Sequence, residues 1–334
     1  MDTMYYHKLG GSSLNVSVLT FGAWQLGDPA YWGPDAEADG VAAVHAALDA
    51  GINFFDTAPM YGAGESERIL GRALADHGDR VLIATKVWPD QCAPGKLRAA
   101  CEASLQRLGM DRIDLYQIHW PCRDVPFDDV YDELRRLEEE GKIRHIGVSN
   151  FGPTDLEAWT ATGYCTSNQV GYNLLFRAVE YDIVPACRMR NIAILAYMPL
   201  MQGILSGRWK SVEEIPVNRR RTRHFSASRE GTRHGEPGAE PLLLETLTRL
   251  GQVAENIDEP LATVALAWVL AQPGVASAIV GARNPVQLER NLRAISLSLG
   301  VETIEQLNLI TEPLRRHFGA NADMWENDAN SRIR

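Results

Sequence analysis

The 334-residue sequence contains no apolar run long enough to cross a bilayer or to act as a secretory signal. Its longest nearly apolar stretch covers residues 261–271, and residues 1–10 have no apolar core. An excess of positive charge is also missing, because 33 Lys and Arg stand against 43 Asp and Glu, a formal net charge of -10. These absences argue against a membrane protein and against a general nucleic-acid surface, and they predict a cytoplasmic location.

Cysteine is scarce, and the spacing of the cysteines matches no known pair motif. The five cysteines form no C-x-x-C pair, and no histidine stands at metal-ligand spacing. This pattern predicts reduced cysteines and no metal site. The G-x-G-x-x-G fingerprint of a Rossmann domain is also absent, since the stretch that begins at Gly62 has Glu67 at the last glycine position.

The sequence does contain a series of polar residues, each placed where a short apolar run ends. The series consists of Asp56, Lys86, His119, Ser149 with Asn150, Gln169 and Tyr197. Most successive members are about 30 residues apart, which is the length of one strand-helix-strand unit. The repeat predicts one (β/α)8 barrel with a single active site at the carboxyl ends of its strands.

The pattern of apolar and turn residues predicts the elements of this barrel. Its strands are expected at residues 18–22, 52–55, 80–86, 113–119, 143–149, 166–171, 192–198 and 275–280. Its helices are expected at residues 35–50, 65–76, 96–108, 127–140, 154–161 and 181–189, and from Pro285. A hairpin of residues 5–9 and 14–18, a long loop at 200–240 and an added helix at 301–318 complete a domain of residues 1–318. Residues 319–334 are expected as a mobile polar tail.

Three of these polar residues, together with Tyr61 in the loop five residues past Asp56, can cooperate in acid-base chemistry. A phenol such as Tyr61 ionises near pH 10, and a nearby Lys86 ammonium would lower that pKa. Asp56 would hold Lys86, while His119 would bind a substrate carbonyl oxygen that Tyr61 protonates. Taken singly, Asp56 and Lys86 are more often a structural ion pair, and His119 is more often a hydrogen-bonded core residue than a catalyst. Their shared position at one end of the barrel favours catalysis.

Several motifs occur together in the sequence. They are Phe54-Phe55-Asp56-Thr57-Ala58 with Tyr61 and Gly62, Thr85-Lys86, Gln117-Ile118-His119, Gly147-Val148-Ser149-Asn150-Phe151 and Ala196-Tyr197-Met198-Pro199-Leu200. With these motifs, residues 8–299 resemble the aldo-keto reductase family. The resemblance implies an (α/β)8 barrel and reversible hydride transfer between a nicotinamide cofactor and a carbonyl or alcohol. It also implies that Tyr61 is the proton donor, with Asp56, Lys86 and His119 around it.

The same resemblance implies a set of cofactor contacts. Ser149, Asn150 and Gln169 match residues that bind the nicotinamide amide, and Tyr197 matches the residue that stacks on its ring. Further implied contacts are Gly22, Ala23, Pro199, Leu200, Gln202, Gly203 and Arg208, with Gly281, Ala282, Arg283, Gln287 and Asn291 at the adenosine end. A Lys-Ser pair and a second Arg typical of mammalian members are missing at that end. NADP is the expected cofactor, and because of this departure NAD stays open.

Two further questions stay open in the sequence. The run Arg219 to Arg223 is either a mobile loop or a clamp on the cofactor phosphates, with Arg221 as the candidate.

The function is expected to be NADP-dependent reduction of an aldehyde, ketone or sugar. Oxidation of a sugar or polyol with NAD and a non-catalytic cofactor-sensing subunit are the alternatives. The partner is a small-molecule carbonyl or alcohol, and neither its identity nor the oligomeric state follows from the sequence.

Overall fold

The barrel is closed by parallel strands in chain order, and the computed structural model describes residues 4–32 and 37–334. A two-stranded antiparallel hairpin precedes it. The hairpin strands are β1 Tyr6–Lys8 and β2 Asn15–Ser17. The barrel strands are β3 Leu19–Gly22, β4 Phe54–Asp56, β5 Leu82–Val87, β6 Ile113–Ile118, β7 Ile143–Ser149, β8 Ser167–Gly171, β9 Ala193–Tyr197 and β10 Val275–Val280. The fold class predicted from the sequence is confirmed.

Helices surround the barrel. They are α1 Pro29–Trp32, α2 Glu37–Asp49, α3 Glu65–Leu74, α4 Pro94–Leu108, α5 Phe127–Glu139, α6 Pro153–Thr162, α7 Ile183–Met189, α8 Glu240–Asn256, α9 Leu261–Leu270, α10 Pro285–Ser296 and α11 Val301–Phe318. The predicted start of α2 at Asp35 lies outside the described residues. No helix in the described part of the chain is sufficiently long and apolar to span a membrane.

The strands are buried on both faces because helices cover the barrel and side chains fill its interior. All six residues of β6 and of β10 are buried, which is typical of a parallel sheet enclosed by helices. Inside the barrel, Leu115 and Leu195 form one cluster with Leu9 and Leu14 of the hairpin. The hairpin therefore closes the amino-terminal end of the barrel, and the opposite end is left for a site.

Helices α8 and α9 were not predicted from the sequence, which indicated only a long loop before β10. Helix α9 has no polar face, and eight of its ten residues are buried. A helix that is apolar all round shows no 3.6-residue period and is recognisable only by its burial. The loop of residues 200–240 is present, with two short 3-10 helices at Met201–Ser206 and Val217–Arg219.

The expectation that residues 319–334 form a mobile tail is wrong, because this segment packs on the barrel. The N–H of Arg223 donates to the carbonyl of Met324 at 2.8 Å, and the N–H of Asp155 donates to the carbonyl of Arg334 at 3.0 Å. Buried Asp323 accepts two hydrogen bonds from the guanidinium of Arg332, at 2.8 and 2.9 Å. The polar residues of the segment are thus used for internal contacts.

Candidate active site

A cavity of about 910 Å³ lies at the carboxyl ends of the barrel strands. With two exceptions, every residue that the sequence analysis assigned to catalysis or cofactor binding lines it. Lys86 is one exception, and it lies beneath the cavity floor with no exposed surface. Ala282 is the other, and it is buried next to Gly281. The barrel thus gathers residues that are far apart in the sequence.

Lys86 is the central group of the cavity floor. Its Nζ donates to Asp56 Oδ1 at 2.7 Å and to the carbonyl of Thr57 at 2.8 Å, and it lies 3.4 Å from the hydroxyl of Tyr61. The other Asp56 oxygen accepts from Gln169 Nε2 at 2.8 Å. A buried ion pair is tolerated only when its remaining hydrogen-bonding capacity is satisfied, as it is here. The ammonium is therefore held directly below the phenol.

The turn that carries Tyr61 depends on glycine. Residues Tyr61–Gly64 form a 3-10 turn in which Gly62 has φ 56°, a left-handed conformation. A Cβ at Gly62 would stand 1.6 Å from the carbonyl oxygen of Gly27, so any side chain there would collide with the backbone. This close approach brings the ring of Tyr61 back over the barrel mouth.

The electrostatics of the pair differ in one respect from the sequence-based expectation. Burial raises the pKa of Tyr61, and Lys86 lowers it only in part, so the pKa stays above its ordinary value rather than below it. Burial alone would lower the pKa of Lys86, but Asp56 and Tyr61 raise it above its usual range. At neutral pH the cavity therefore contains a protonated phenol above a charged ammonium.

His119 completes the group of four. Burial, together with the charge of Lys86, holds the pKa of His119 well below its usual range, so the imidazole is neutral. Its Nδ1 is buried and has no hydrogen-bond partner among the described residues. Its ring lies edge-on to Tyr61 at 6.2 Å and to Trp88 at 5.1 Å. A neutral imidazole beside the phenol can donate a hydrogen bond to a carbonyl oxygen and leave Tyr61 as the group that protonates this oxygen.

The residues assigned to the nicotinamide form a connected network. The hydroxyl of Tyr197 donates to Asn150 Oδ1 at 2.8 Å, and Asn150 Nδ2 donates to the carbonyl of His119 at 3.1 Å. Ser149 Oγ donates to the carbonyl of Gln169 at 2.9 Å. Since the Gln169 amide nitrogen donates to Asp56, its oxygen is oriented away from that carboxylate and can accept from a carboxamide. The arrangement fits a planar amide-bearing ring against Tyr197.

The far end of the cavity has the chemistry of an anion site. Burial lowers the pKa of Arg208, and the neighbouring charge of Arg283 lowers it further. Burial and the charge of Arg208 lower the pKa of Arg219, whose Nε is buried without a hydrogen-bond partner among the described residues. Helix α10 begins here, with its N-cap Asn284 accepting from the Gln287 N–H at 2.9 Å. Clustered guanidiniums at a helix N-terminus favour a phosphate.

Arg221, the expected clamp, also lines the cavity. Its Nε donates to the carbonyl of Asn218 at 2.8 Å, and its guanidinium carbon lies 5.2 Å from the ring centre of Tyr31. Burial lowers the pKa of Arg219, another member of the run, and the charges of Arg208 and Arg283 lower it further. Within the run, Arg219 therefore lies near the other arginines of the anion site, and Arg221 lies against the ring of Tyr31.

Other lining residues were missed or left without a role by sequence reasoning. Trp24, Trp88 and Trp120 line the cavity just past strand ends, whereas Trp325 and Arg332 come from the segment that was expected to be mobile. Further lining residues without a predicted role include Gln25, Met60, Ala262, Ile279 and Arg290. The aromatic side chains surround the region next to Tyr61 and His119 and give it an apolar wall.

An eight-stranded parallel barrel with a Lys-Asp pair below a tyrosine and a histidine is typical of barrel oxidoreductases. The model of the Aldo/keto reductase family matches residues 18–312. Aldo-keto reductase YhdN of Bacillus subtilis is 32% identical over 320 residues, 92% of this chain and 94% of that protein. The chain therefore belongs to the aldo/keto reductase family and is an oxidoreductase.

Solved structures agree with this assignment. The glycerol dehydrogenase AKR11B4 from Gluconobacter oxydans has a TM-score of 0.79 and 32% identity, covering 93% of this chain and 95% of that one. An aldo-keto reductase from Klebsiella pneumoniae in complex with NADPH has a TM-score of 0.73 and 29% identity, covering 92% and 95% of the two chains.

Proposed function

We propose that this protein reduces the carbonyl group of an aldehyde, ketone or sugar with NADPH, and that Tyr61 is the general acid. The observation that carries the proposal is the position of Lys86 Nζ, 2.7 Å from Asp56 Oδ1 and 3.4 Å from the hydroxyl of Tyr61. A structural ion pair alone would not require a phenol above it and a neutral histidine beside it.

Each residue has a defined task in this proposal. A bound nicotinamide supplies the hydride. An N–H of His119 donates a hydrogen bond to the carbonyl oxygen and orients it, and Tyr61 donates its proton to that oxygen as negative charge develops. Lys86 stabilises the phenolate that remains, and Asp56 keeps Lys86 protonated. The aromatic wall excludes water from the reacting atoms.

The raised pKa of Tyr61 supports the reductive direction at neutral pH. An alkoxide is a stronger base than any phenolate, so a phenol with a raised pKa still protonates it. Oxidation of an alcohol would instead need the phenolate, which burial disfavours in Tyr61. Similarity to a glycerol dehydrogenase keeps polyol oxidation as the second candidate, with activity expected only at alkaline pH.

NADP is proposed over NAD because of the arginine cluster. Arg208, Arg219 and Arg283 share the far end of the cavity, where a 2′-phosphate would offset their mutual repulsion. The complex of the Klebsiella pneumoniae relative with NADPH supports the same choice. The five free and buried cysteines suit a reducing compartment, so we place the reaction in the cytoplasm.

The proposal is tested by titrating the purified protein with NADPH and NADH and then following their oxidation with a panel of aldehydes, ketones and sugars. Arg283→Ala should weaken NADPH binding by about 1.5 to 3 kcal/mol, the scale of a charged hydrogen bond, and leave NADH nearly unchanged. Arg293→Ala, which changes an exposed arginine on the same helix α10, is the matched control. Tight cofactor binding without turnover on any carbonyl would favour a cofactor-sensing protein instead.

A further inference from the structure

Four side chains from three loops form a continuous stack at the barrel mouth. The ring of Tyr61 stacks on Trp24 with centroids 5.7 Å apart and an interplanar angle of 25°. Trp24 stacks in turn on Tyr31 at 4.7 Å and 28°. The guanidinium carbon of Arg221 lies 5.2 Å from the centre of the Tyr31 ring. We call Arg221, Tyr31, Trp24 and Tyr61 the aromatic stack.

The outer end of this stack is tied to the loop that contains the arginine run. The hydroxyl of Tyr31 donates to the carbonyl of Asn218 at 2.8 Å, and Asn218 Nδ2 donates to the carbonyl of Tyr31 at 2.6 Å. The neighbouring guanidinium of Arg219 lies 5.1 Å from the ring of Trp32. Two segments that are remote in sequence, 24–32 and 217–221, are therefore joined by reciprocal contacts.

The inner end of the stack bears on the geometry of the proton donor. Among the described residues, Trp24 is the only ring that lies nearly parallel to Tyr61, whereas His119 meets it edge-on. The Tyr61 hydroxyl is 3.4 Å from Lys86 Nζ, a long contact that a small tilt of the ring would break. The hydroxyl thus depends on a packing partner to keep it over the ammonium.

We propose that Trp24 and Tyr31 are positioning residues for the general acid, and that the aromatic stack makes the orientation of Tyr61 depend on the contact between segments 24–32 and 217–221. The inference rests on the proposed function. A cofactor that enters or leaves beneath these segments must part them, which removes Asn218 and Arg221 from Tyr31. Tyr31 can then move away from Trp24, which keeps the hydrogen bond from its Nε1 to Asp28 at 3.1 Å but loses the stacked ring that holds its tilt against Tyr61. The proton donor is aligned only when the segments are joined.

The kinetic test uses a matched pair of substitutions at Tyr31. Tyr31→Leu removes the ring from the stack, whereas Tyr31→Phe removes only the hydroxyl that donates to Asn218. We expect Tyr31→Leu to lower kcat by about 10-fold to 100-fold, the effect of misplacing a reacting group by about 1 Å, while the affinity for NADPH changes by less than about threefold. Tyr31→Phe should keep kcat within about threefold of wild type. Trp24→Phe should likewise retain more of kcat than Trp24→Leu.

A second readout does not depend on turnover. The ten tyrosines can be labelled with ¹³C at Cζ, and the resonance of Tyr61 is assigned by its loss in Tyr61→Phe. Tyr31→Leu should shift this resonance and Tyr31→Phe should leave it in place, because only the former releases Trp24. An unmoved Tyr61 resonance in Tyr31→Leu, or equal kcat values for the two Tyr31 variants, would overturn the inference. If the wild type turns over no carbonyl but Tyr31→Leu still shifts the Tyr61 resonance, the proposed function is wrong and the coupling of the rings is retained.

Discussion

Replacing Lys86 by methionine isolates the energetic role of the buried ion pair. Lys86 has no exposed surface, and Asp56 is 2% exposed. Lys86→Met leaves the Asp56 carboxylate with two amide donors, Gln169 at 2.8 Å and Gln117 at 3.3 Å, and no opposite charge. Breaking a buried pair by removing one partner costs about 3 to 5 kcal/mol, so we expect a loss of this size in the free energy of unfolding.

The double variant Asp56→Asn/Lys86→Met should recover most of that loss, because it removes both charges together. Lys142→Met is the control at the surface, where the amine pairs with Glu102 and Glu140 and is 29% exposed. Its cost should be much smaller than that of Lys86→Met, because solvent screens an exposed ion pair. The assay is urea unfolding followed by fluorescence and by circular dichroism.

The contribution of Lys86 to the free energy of unfolding should also depend on pH. Burial alone would lower the pKa of Lys86, but Asp56 raises it above the usual value. The contribution of Lys86 is therefore complete below the pKa of a free lysine, about 10.4, and is lost as the pH rises through the higher folded-state pKa. Wild type should lose this stability at alkaline pH and Lys86→Met should not. Equal free energies of unfolding for Lys86→Met and for Asp56→Asn/Lys86→Met would refute the reasoning about the buried ion pair.

Three further predictions follow from particular residues. Because the pKa of His119 lies well below its usual range, kcat/KM for carbonyl reduction should be flat between about pH 6 and 8, and a titration centred near 6.5 would contradict a neutral His119. Burial lowers the pKa of His224 to about 4, so stability should fall as the pH drops from about 6.5 through 4, and in His224→Gln this part of the acid profile should be missing. A Cβ at Gly152 would lie 2.2 Å from the carbonyl oxygen of Arg334, so Gly152→Ala should release the C-terminal segment and increase its cleavage by trypsin, whereas Gly251→Ala in helix α8, where an added Cβ meets nothing within 4 Å, should cause no such increase.

The sequence was sufficient for the barrel and for most of the cavity wall. A polar residue after each apolar run marks the carboxyl end of a strand, and parallel strands bring those ends together. This regularity explains why Asp56, Lys86 and His119 could be placed from the chain alone. It also explains why Ser149, Gln169 and Tyr197 fall on the same cavity.

Features that have no repeating pattern of apolar residues in the sequence were harder to predict. Helix α9 is apolar on every side, so nothing in its pattern distinguishes it from a buried strand. Trp325 and Arg332 enter the cavity because Asp323 and the backbone of Met324 hold their segment, contacts between residues that are remote in sequence. The pKa of Tyr61 was expected to be lowered by Lys86, but burial has the larger effect, and its extent depends on the folded packing.

The most direct test of the central claim compares wild type with Tyr61→Phe, which removes one hydroxyl group and keeps the ring on Trp24. NADPH binding is measured by fluorescence, and carbonyl reduction by the loss of NADPH absorbance. Our account predicts nearly unchanged NADPH affinity and turnover that is lower by roughly 100-fold or more, the scale of losing a general acid. Turnover equal to that of wild type would contradict the assignment of Tyr61 as the proton donor.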